Sequence, residues 1–173
     1  MKKKAVFLDR DGTIIIDKIY LNDVNGVEYI PYALDSLLKL QQAGFLLLVA
    51  TNQSGVARGI VQLENLHAIH EKIQRDCVAL GVQIDGFYYA PYSVESHHEM
   101  RKPNPGMLLQ GAKEHQVDLS KSYMIGDRES DVEAGLNAGT KSILLSPKQV
   151  PSKAHFICED LRLATDFILR ASQ

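Results

Sequence analysis

Short apolar segments alternate with segments of helical periodicity along nearly the whole chain, and this alternation restricts the fold more than any other feature. Six apolar segments are predicted strands: Ala5–Leu8, Phe45–Ala50, Gly86–Ala90, Tyr123–Ile125, Ser142–Leu145 and His155–Ile157. Five periodic segments are predicted helices: Ala33–Gln42, Leu63–Leu80, Met107–His115, Ser130–Ala138 and Leu161–Ala171. Such alternation is typical of a parallel sheet with helices on both faces. We therefore predict an α/β fold built on a doubly wound parallel sheet.

Two segments interrupt the alternation. Tyr20–Tyr29 contains Asn25-Gly26 between short apolar stretches, which predicts a β-hairpin. Pro91–Pro105 is polar and rich in His and Pro, which predicts a loop. Neither segment is long enough to form a cap domain, so we expect one domain over residues 1–173 with an open site.

The overall composition is that of an ordinary globular protein, with 23% charged residues and a net charge of −2. This balance does not favour a nucleic-acid surface, which requires a strongly basic domain. The basic start is followed by too short an apolar stretch for a signal peptide, and no apolar run has transmembrane length. Cys77 and Cys158 lack metal-site spacing, and we expect no disulfide. We therefore predict a cytoplasmic monomer without a nucleic-acid or membrane partner.

Polar side chains lie just after three of the predicted strands. Asp9 and Asp11 follow the first strand, Thr51 follows the second, and Asp127 follows the fourth. In open α/β sheets, ligands bind outside the carboxyl ends of the strands. We therefore expect these distant motifs to converge at one edge of the sheet.

The residue types at this edge are those that phosphoryl transfer requires. Asp9 can attack phosphorus as a nucleophile, and Asp11 can exchange protons with the leaving oxygen and with water. Alternate residues of a strand share a face, so both carboxylates can address one site. Thr51 and Lys102 are predicted to hold the other phosphoryl oxygens, because positioning and charge neutralisation supply most of this catalysis.

A divalent cation is expected at the same site, because two carboxylates would otherwise repel a phosphoryl group. Mg²⁺ prefers oxygen ligands and the substrate phosphate, and Asp127 is the predicted third ligand, with Asp131 supporting it one helical turn later. A calcium loop beginning at Asp9 is excluded. Such a loop needs Asp or Asn at its fifth position, Gly at its sixth and Glu at its twelfth, which here are Thr13, Ile14 and Tyr20.

Four stretches resemble one protein family: Phe7–Thr13, Thr51–Gly59, Arg101–Met107 and Gly126–Asp127. They are similar to the haloacid dehalogenase (HAD) superfamily of phosphohydrolases, and most of all to its branch of D-glycero-D-manno-heptose 1,7-bisphosphate phosphatases and histidinol-phosphatases. The resemblance implies a HAD-like Rossmannoid core without a large cap. It implies that Asp9 is the nucleophile, Asp11 the acid/base, and Thr51 and Lys102 the phosphoryl clamps. It also implies that Mg²⁺ binds to Asp9, the backbone carbonyl of Asp11, and Asp127.

The resemblance also implies a set of substrate-binding residues: Asp17, Tyr20, Asn52, Gln53, Ser54, Arg58 and Arg101. Arg128 stands where relatives often have Lys, and we expect it to reach a second phosphate. The family usually carries a structural zinc in the loop before Arg101, held as Cys-x-His and Cys-x-Cys. Here those positions are Ala90, Tyr92, His98 and Met100, so we expect no zinc.

The leading hypothesis is a Mg²⁺-dependent phosphatase of a small phosphorylated metabolite, with heptose 1,7-bisphosphate first among the substrates. Histidinol phosphate and other sugar phosphates are alternatives within the same chemistry. A non-enzymatic signalling module that carries a phosphoaspartate is an alternative of another class. Asp11 favours the enzyme, because an acid/base carboxylate beside the nucleophile promotes breakdown of the phosphoaspartate.

Overall fold

The central sheet of the computed structural model, which describes residues 1–172, has six strands that all run parallel. The strands are β1 (Ala5–Leu8), β2 (Leu46–Asn52), β3 (Gly86–Ala90), β4 (Tyr123–Gly126), β5 (Lys141–Leu145) and β6 (Phe156–Cys158). The helices are α1 (Ala33–Gln42), α2 (Ser54–Ala57), α3 (Leu63–Ala79), α4 (Gly106–His115), α5 (Glu129–Ala138) and α6 (Leu161–Ala171). Gln173, the last residue of the predicted domain, lies outside the described residues.

Strand β1 shows why the sheet is covered on both faces. All four of its residues are buried, and alternate side chains enter different cores. Val6 and Leu8 belong to one apolar cluster, while Ala5 and Phe7 belong to the other. A strand that is buried on both faces needs a continuous apolar run, which is the pattern that this segment shows.

The helices divide between the two faces. Residues of α1, α3 and α6 pack into the first cluster, whereas residues of α4 and α5 pack into the second. Cys77 lies on the buried side of α3, and both cysteines are free. The predicted α/β fold, a doubly wound parallel sheet without a large cap, is confirmed.

The strand order, β3-β2-β1-β4-β5-β6, reverses direction between β1 and β4. Chain connections lead outward from β1 on one side and from β4 on the other. A crevice therefore forms beyond the carboxyl ends of these two strands, where ligands bind in folds of this type. Asp9 follows β1 directly, and Asp127 follows β4 directly.

The predicted hairpin in Tyr20–Tyr29 is wrong. Val24–Gly26 forms a 3-10 turn, because the Asp23 side chain accepts a hydrogen bond of 2.9 Å from the backbone N–H of Asn25. The only strand-like pairing of this segment within residues 1–172 is an isolated bridge from Tyr29 to Ile15. Sequence reasoning also missed the short helix α2. Within residues 1–172, none of the helices combines the length and apolar character that crossing a bilayer requires.

Candidate active site

The loop after β1 turns sharply and brings Asp9 close to Asp127, the residue that follows β4. The backbone N–H of Asp9 donates to the carbonyl of Ile125, at 3.0 Å, which ties the start of the loop to β4. Gly12 then adopts a left-handed conformation with φ of 82°. A Cβ atom at this position would overlap the carboxylate of Asp127, so the glycine serves both the turn and the close approach.

Lys102 connects three parts of the site. Its Nζ donates to Asp9 Oδ1 at 2.8 Å, to Asp131 Oδ1 at 2.6 Å and to the carbonyl of Ala50 at 2.7 Å. The side chain is 2% exposed. Burial alone would lower the pKa of Lys102. The negative charges of Asp131 and Asp9 have the larger combined effect, so the pKa of Lys102 is raised. The ammonium group therefore stays charged in the interior.

Asn52 holds Lys102 in place from the end of β2. Its Oδ1 accepts from the backbone N–H of Lys102, and its Nδ2 donates to the carbonyl of the same residue, both at 2.9 Å. This reciprocal pair fixes the backbone of Lys102 against the sheet.

Three carboxylates form a cluster in which each of Asp9, Asp127 and Asp131 offers an oxygen within 4.8 Å of the others. Two oxygens of Asp131 are occupied, by Lys102 and by the backbone N–H of Arg128. The Oδ1 atom of Asp127 is buried without a hydrogen-bond partner. Burial, with smaller contributions from Asp9 and Asp131, raises the pKa of Asp127 to about 7. An unpartnered buried carboxylate oxygen beside two other acids fits a hard divalent cation.

Asp11 is held by donors on both of its oxygens. Arg10 donates from Nε to Oδ2 at 3.1 Å and from Nη2 to Oδ1 at 3.0 Å. Gln53 Nε2 donates to Oδ2 at 3.0 Å and also to Thr51 Oγ1 at 2.9 Å. Burial raises the pKa of Asp11, and the charge of Arg10 opposes this shift. Gln53 thus links the predicted acid/base to the hydroxyl that is predicted to clamp phosphate.

A cleft of about 620 Å³ opens above these groups. Ten of the predicted site residues line it: Asp9, Asp11, Asp17, Tyr20, Asn52, Gln53, Ser54, Arg101, Lys102 and Arg128. The other three lie outside this lining. Thr51 is 1% exposed and lies beneath Gln53, Arg58 contacts Tyr20 from the exposed surface, and Asp127 lines a neighbouring cleft with Gly12.

The three predicted arginines have different surroundings. Arg128 Nη2 donates to Asp17 Oδ2 at 3.0 Å. Arg58 Nη1 donates to the hydroxyl of Tyr20 at 2.6 Å. Arg101 has a buried Nη1 without a hydrogen-bond partner, and burial lowers the pKa of its guanidinium group. Arg101 is therefore the arginine of the cleft whose donor capacity is least used.

The lining of the cleft also includes exposed apolar side chains. Ile19 and Val94 are apolar yet 80% and 57% exposed, and both line the cleft. Ile19 has φ of 68°, a left-handed conformation that is unusual for a β-branched residue. Ile19 lies in the segment Asp17 to Tyr20, which the family resemblance implied as a substrate contact. Val94 was not predicted, because an exposed apolar residue in a loop carries no recognisable chemical pattern.

The buried partners of Asp11 were also missed. Arg10 is 1% exposed and His70 is 6% exposed, and Arg10 Nη1 lies 3.1 Å from His70 Nε2. The available signal was a His at the helical spacing of the apolar residues of α3, which include Leu66, Ile69 and Ile73.

In the loop before Arg101, aromatic rings pack together at two of the positions where the family usually has zinc ligands. The rings of Tyr92 and His98 stack with centroids 3.6 Å apart. His98 Nδ1 accepts from the backbone N–H of Met100 at 3.1 Å. Within residues 1–172, the group of Asp9, Asp127 and Asp131 is the only one with three or more side chains arranged to hold a metal.

Comparisons with known proteins agree with this geometry. The model of a family described as HAD-hydrolase-like matches residues 99–164. A D-glycero-beta-D-manno-heptose-1,7-bisphosphate 7-phosphatase of Helicobacter pylori strain J99 is 39% identical, covering 95% of this chain and 97% of its own length. The enzyme of the same name from Pasteurella multocida is 37% identical, with 98% and 92% covered.

A solved structure shows the same fold. The D,D-heptose 1,7-bisphosphate phosphatase of B. bronchiseptica, crystallised with magnesium and phosphate, has a TM-score of 0.87 and 30% sequence identity. The match covers 97% of this chain and 99% of that one. Phosphatases of this kind are typically metal-dependent, and the prediction of a phosphoric monoester hydrolase is confirmed. The chain belongs to the HAD-like phosphatases, in the family of the D-glycero-beta-D-manno-heptose-1,7-bisphosphate 7-phosphatases.

Proposed function

We propose that the protein removes the 7-phosphate of D-glycero-β-D-manno-heptose 1,7-bisphosphate through an aspartyl-phosphate on Asp9. The observation that carries the proposal is the contact of Lys102 with both Asp9 and Asp131 at the floor of a cleft that also contains Asp11. The names of the curated relatives support the choice of sugar and anomer.

In the first step, a carboxylate oxygen of Asp9 attacks phosphorus. Lys102 bonds to Oδ1, and within residues 1–172 Oδ2 accepts no hydrogen bond, so Oδ2 is the attacking atom. The bond from phosphorus to the sugar oxygen breaks, and its electron pair goes to that oxygen. The oxygen takes a proton from the carboxyl group of Asp11, which gives the free sugar hydroxyl and the aspartyl-phosphate.

In the second step, water attacks the phosphorus of the aspartyl-phosphate. The Asp11 carboxylate accepts a proton from this water, and the bond from phosphorus to Asp9 breaks. Its electron pair returns to Asp9, which regenerates the carboxylate and releases inorganic phosphate. Asp11 is protonated again, so the sum of the two steps is hydrolysis of one ester by one water.

Thr51 and Lys102 are assigned to the phosphoryl oxygens in both steps, and Lys102 would exchange one of its three present hydrogen bonds for a phosphoryl oxygen. Asp9, Asp127 and the backbone carbonyl of Asp11 would hold Mg²⁺, and the unpartnered Oδ1 of Asp127 supports that assignment. When bound, the ion neutralises the charge of the phosphoryl group next to the acids. The remaining positioning comes from Asn52, Gln53 and the charged groups of the cleft.

The second phosphate of the substrate gives a role to the arginines of the cleft. Arg101 has an unused buried donor, and Arg128 lines the same cleft, so both can meet the 1-phosphate while the 7-phosphate reacts at Asp9. Histidinol phosphate lacks a second phosphate and would leave the buried donor of Arg101 without a partner. Asp17, Tyr20 and Ser54 line the same cleft and are further proposed contacts of the sugar.

We further infer that zinc is dispensable to this chain and that it acts as a cytoplasmic monomer of one domain. The Tyr92–His98 stack supports the first point, because it engages in aromatic packing two of the positions where the family usually has zinc ligands. Two free buried cysteines are consistent with a reducing compartment.

Phosphate release with Mg²⁺ tests the proposal against four substrates: the two anomers of heptose 1,7-bisphosphate, histidinol phosphate and 4-nitrophenyl phosphate. We expect the β anomer to have the highest kcat/KM and Asp9→Asn to abolish turnover while its melting temperature is retained. Arg101→Gln should raise KM for the bisphosphate about tenfold or more, as expected for the loss of a charged hydrogen bond, with little effect on 4-nitrophenyl phosphate. Equal kcat/KM across the panel, or full activity of Asp9→Asn, would contradict the assignment.

A further inference from the structure

A buried chain of three polar side chains leads from helix α3 to the predicted acid/base. His70 Nε2 lies 3.1 Å from Arg10 Nη1, and Arg10 holds both oxygens of Asp11 through Nε and Nη2. Arg10 and His70 are 1% and 6% exposed. Neither residue lines the cleft, so neither is available to touch the substrate directly.

The donor and the acceptor of the hydrogen bond between Arg10 and His70 can both be assigned. Arginine is charged under all relevant conditions and can only donate. Burial lowers the pKa of His70 to about 3, and the charges of Arg10 and His67 add to the effect. His70 is therefore neutral and accepts at Nε2, which leaves its proton on Nδ1. Arg10 thus donates to His70 on one side and to Asp11 on the other.

The histidine ring is fixed by its surroundings. Its centroid lies 4.8 Å from that of Phe87 in β3, with an interplanar angle of 20°, so the two rings stack. His70 also lies on the buried side of α3, between Ile69 and Ile73 in the chain. A rigid acceptor in this position fixes the plane of the guanidinium fork, and the fork fixes the plane of the Asp11 carboxyl group.

We propose that His70 is a positioning residue that acts through Arg10 to aim the carboxyl group of Asp11 at the leaving oxygen of the substrate. This inference rests on the proposed function, in which Asp11 gives its proton to that oxygen as the ester bond breaks. Displacing a catalytic group by about 1 Å is enough to slow a reaction by one or two orders of magnitude. His70 would therefore affect proton transfer without contacting any reacting atom.

Two esters of similar size test this proposal. The leaving group of benzyl phosphate is an alkoxide and needs a proton, whereas 4-nitrophenolate leaves without one. The ratio of the two kcat/KM values reports on protonation of the leaving oxygen, because kcat/KM covers only the steps up to formation of the aspartyl-phosphate. Both esters are measured on the same preparation, so the ratio does not depend on the fraction of the protein that is correctly folded.

His70→Leu removes the acceptor and keeps an apolar side chain. We expect it to lower kcat/KM for benzyl phosphate about tenfold more than for 4-nitrophenyl phosphate, a part of the full effect of a general acid. His70→Gln places an acceptor near the position of Nε2, and it should restore the ratio to nearly that of the parent. His70→Met provides a second variant without the acceptor if His70→Leu does not fold.

His67→Leu is the matched control. His67 lies on the same helix and contacts the hydroxyl of Tyr89 at 3.1 Å instead of Arg10. Its substitution should leave the ratio unchanged. An equal loss for both esters in His70→Leu, or a loss in His70→Gln as large as in His70→Leu, would overturn the inference, since a structural role alone affects both esters alike.

Asp11→Asn separates failure of the inference from failure of the proposed function. If Asp11 is the acid, this variant loses far more activity on benzyl phosphate than on 4-nitrophenyl phosphate. A selective loss in Asp11→Asn together with a non-selective loss in His70→Leu would overturn only the positioning role of His70. A non-selective loss in Asp11→Asn would overturn the acid role itself, and the inference with it.

Discussion

At the scale of single residues, Lys102 determines the electrostatics of the site. It is a buried ammonium group between two buried carboxylates, those of Asp9 and Asp131. Such a group stabilises the folded state mainly because its removal would leave the two acids without a partner. The same contact orients Asp9 for attack, so one side chain contributes to both stability and catalysis.

Lys102→Met should therefore abolish phosphatase activity and lower the free energy of unfolding by about 3 kcal/mol. Urea denaturation measures the second effect. The double variant Lys102→Met/Asp131→Asn should recover part of the stability and none of the activity. The control is Lys153→Met, which breaks an exposed pair with Glu133 and should change neither quantity appreciably. A Lys102→Met protein as stable as the parent would contradict this account of the ion pair.

The raised pKa of Asp127 makes the stability of the metal-free protein depend on pH. Its pKa is raised from its ordinary value of 3.8 to about 7, so the folded state binds the proton more tightly than the unfolded state. Below the lower value both states are protonated, and above the higher value both are ionised. Between them the folded state loses stability as the pH rises.

In EDTA, we therefore expect Asp127→Asn to melt at about the same temperature as the parent at pH 4 and at a higher temperature at pH 8. Differential scanning calorimetry across this range measures the difference. Magnesium should stabilise the parent at pH 8 and have little effect on the variant, because a ligand that binds only the folded state raises its stability. A difference in melting temperature that does not change with pH would contradict the raised pKa.

At the scale of elements, the loop after β1 contains a short exposed segment, Asp17 to Tyr20, and contacts at both of its ends hold it in place. Asp17 Oδ2 accepts from Arg128, and Asp17 Oδ1 accepts from the backbone N–H of Ile19 at 2.7 Å. The ring of Tyr20 packs against Gly55, where a Cβ atom would clash with it. Ile19 lies between these contacts in a left-handed conformation, so the loop stores backbone strain at the mouth of the cleft.

Ile19→Gly should relieve that strain and raise the free energy of unfolding by about 1 kcal/mol. Gln116→Gly is the matched control, since Gln116 has φ of 57° at the end of α4 and does not line the cleft. Both variants should gain stability in thermal unfolding, and only Ile19→Gly should change KM for the sugar bisphosphate. Loss of stability in Ile19→Gly would show that the conformation is not strained.

At the scale of the whole molecule, the parallel sheet explains why much of the fold could be predicted. Strands such as β1 and β2 are buried on both faces, so they appear in the sequence as short continuous apolar runs. Asp9 and Asp127 directly follow such runs, and the topology brings all strand ends to one edge. The convergence of the predicted site residues therefore follows from local patterns together with a general rule of the fold.

The features that could not be predicted depend on long-range packing or on competition between local structures. The contact of Lys102 with Asp131 and that of Arg10 with His70 join residues far apart in the chain, and no periodicity encodes such pairs. Asn25-Gly26 is compatible with several turns, and the cap by Asp23 selected a 3-10 turn over a hairpin.

The most direct test of the central claim is to locate the covalent intermediate. The protein is mixed with Mg²⁺ and heptose 1,7-bisphosphate, quenched in acid within the first turnover, treated with borohydride, and analysed by peptide mass spectrometry. An aspartyl-phosphate is reduced to homoserine, and we predict this product at position 9 alone and only when substrate is present. Reduction at another aspartate, or none at any position during active turnover, would contradict the account.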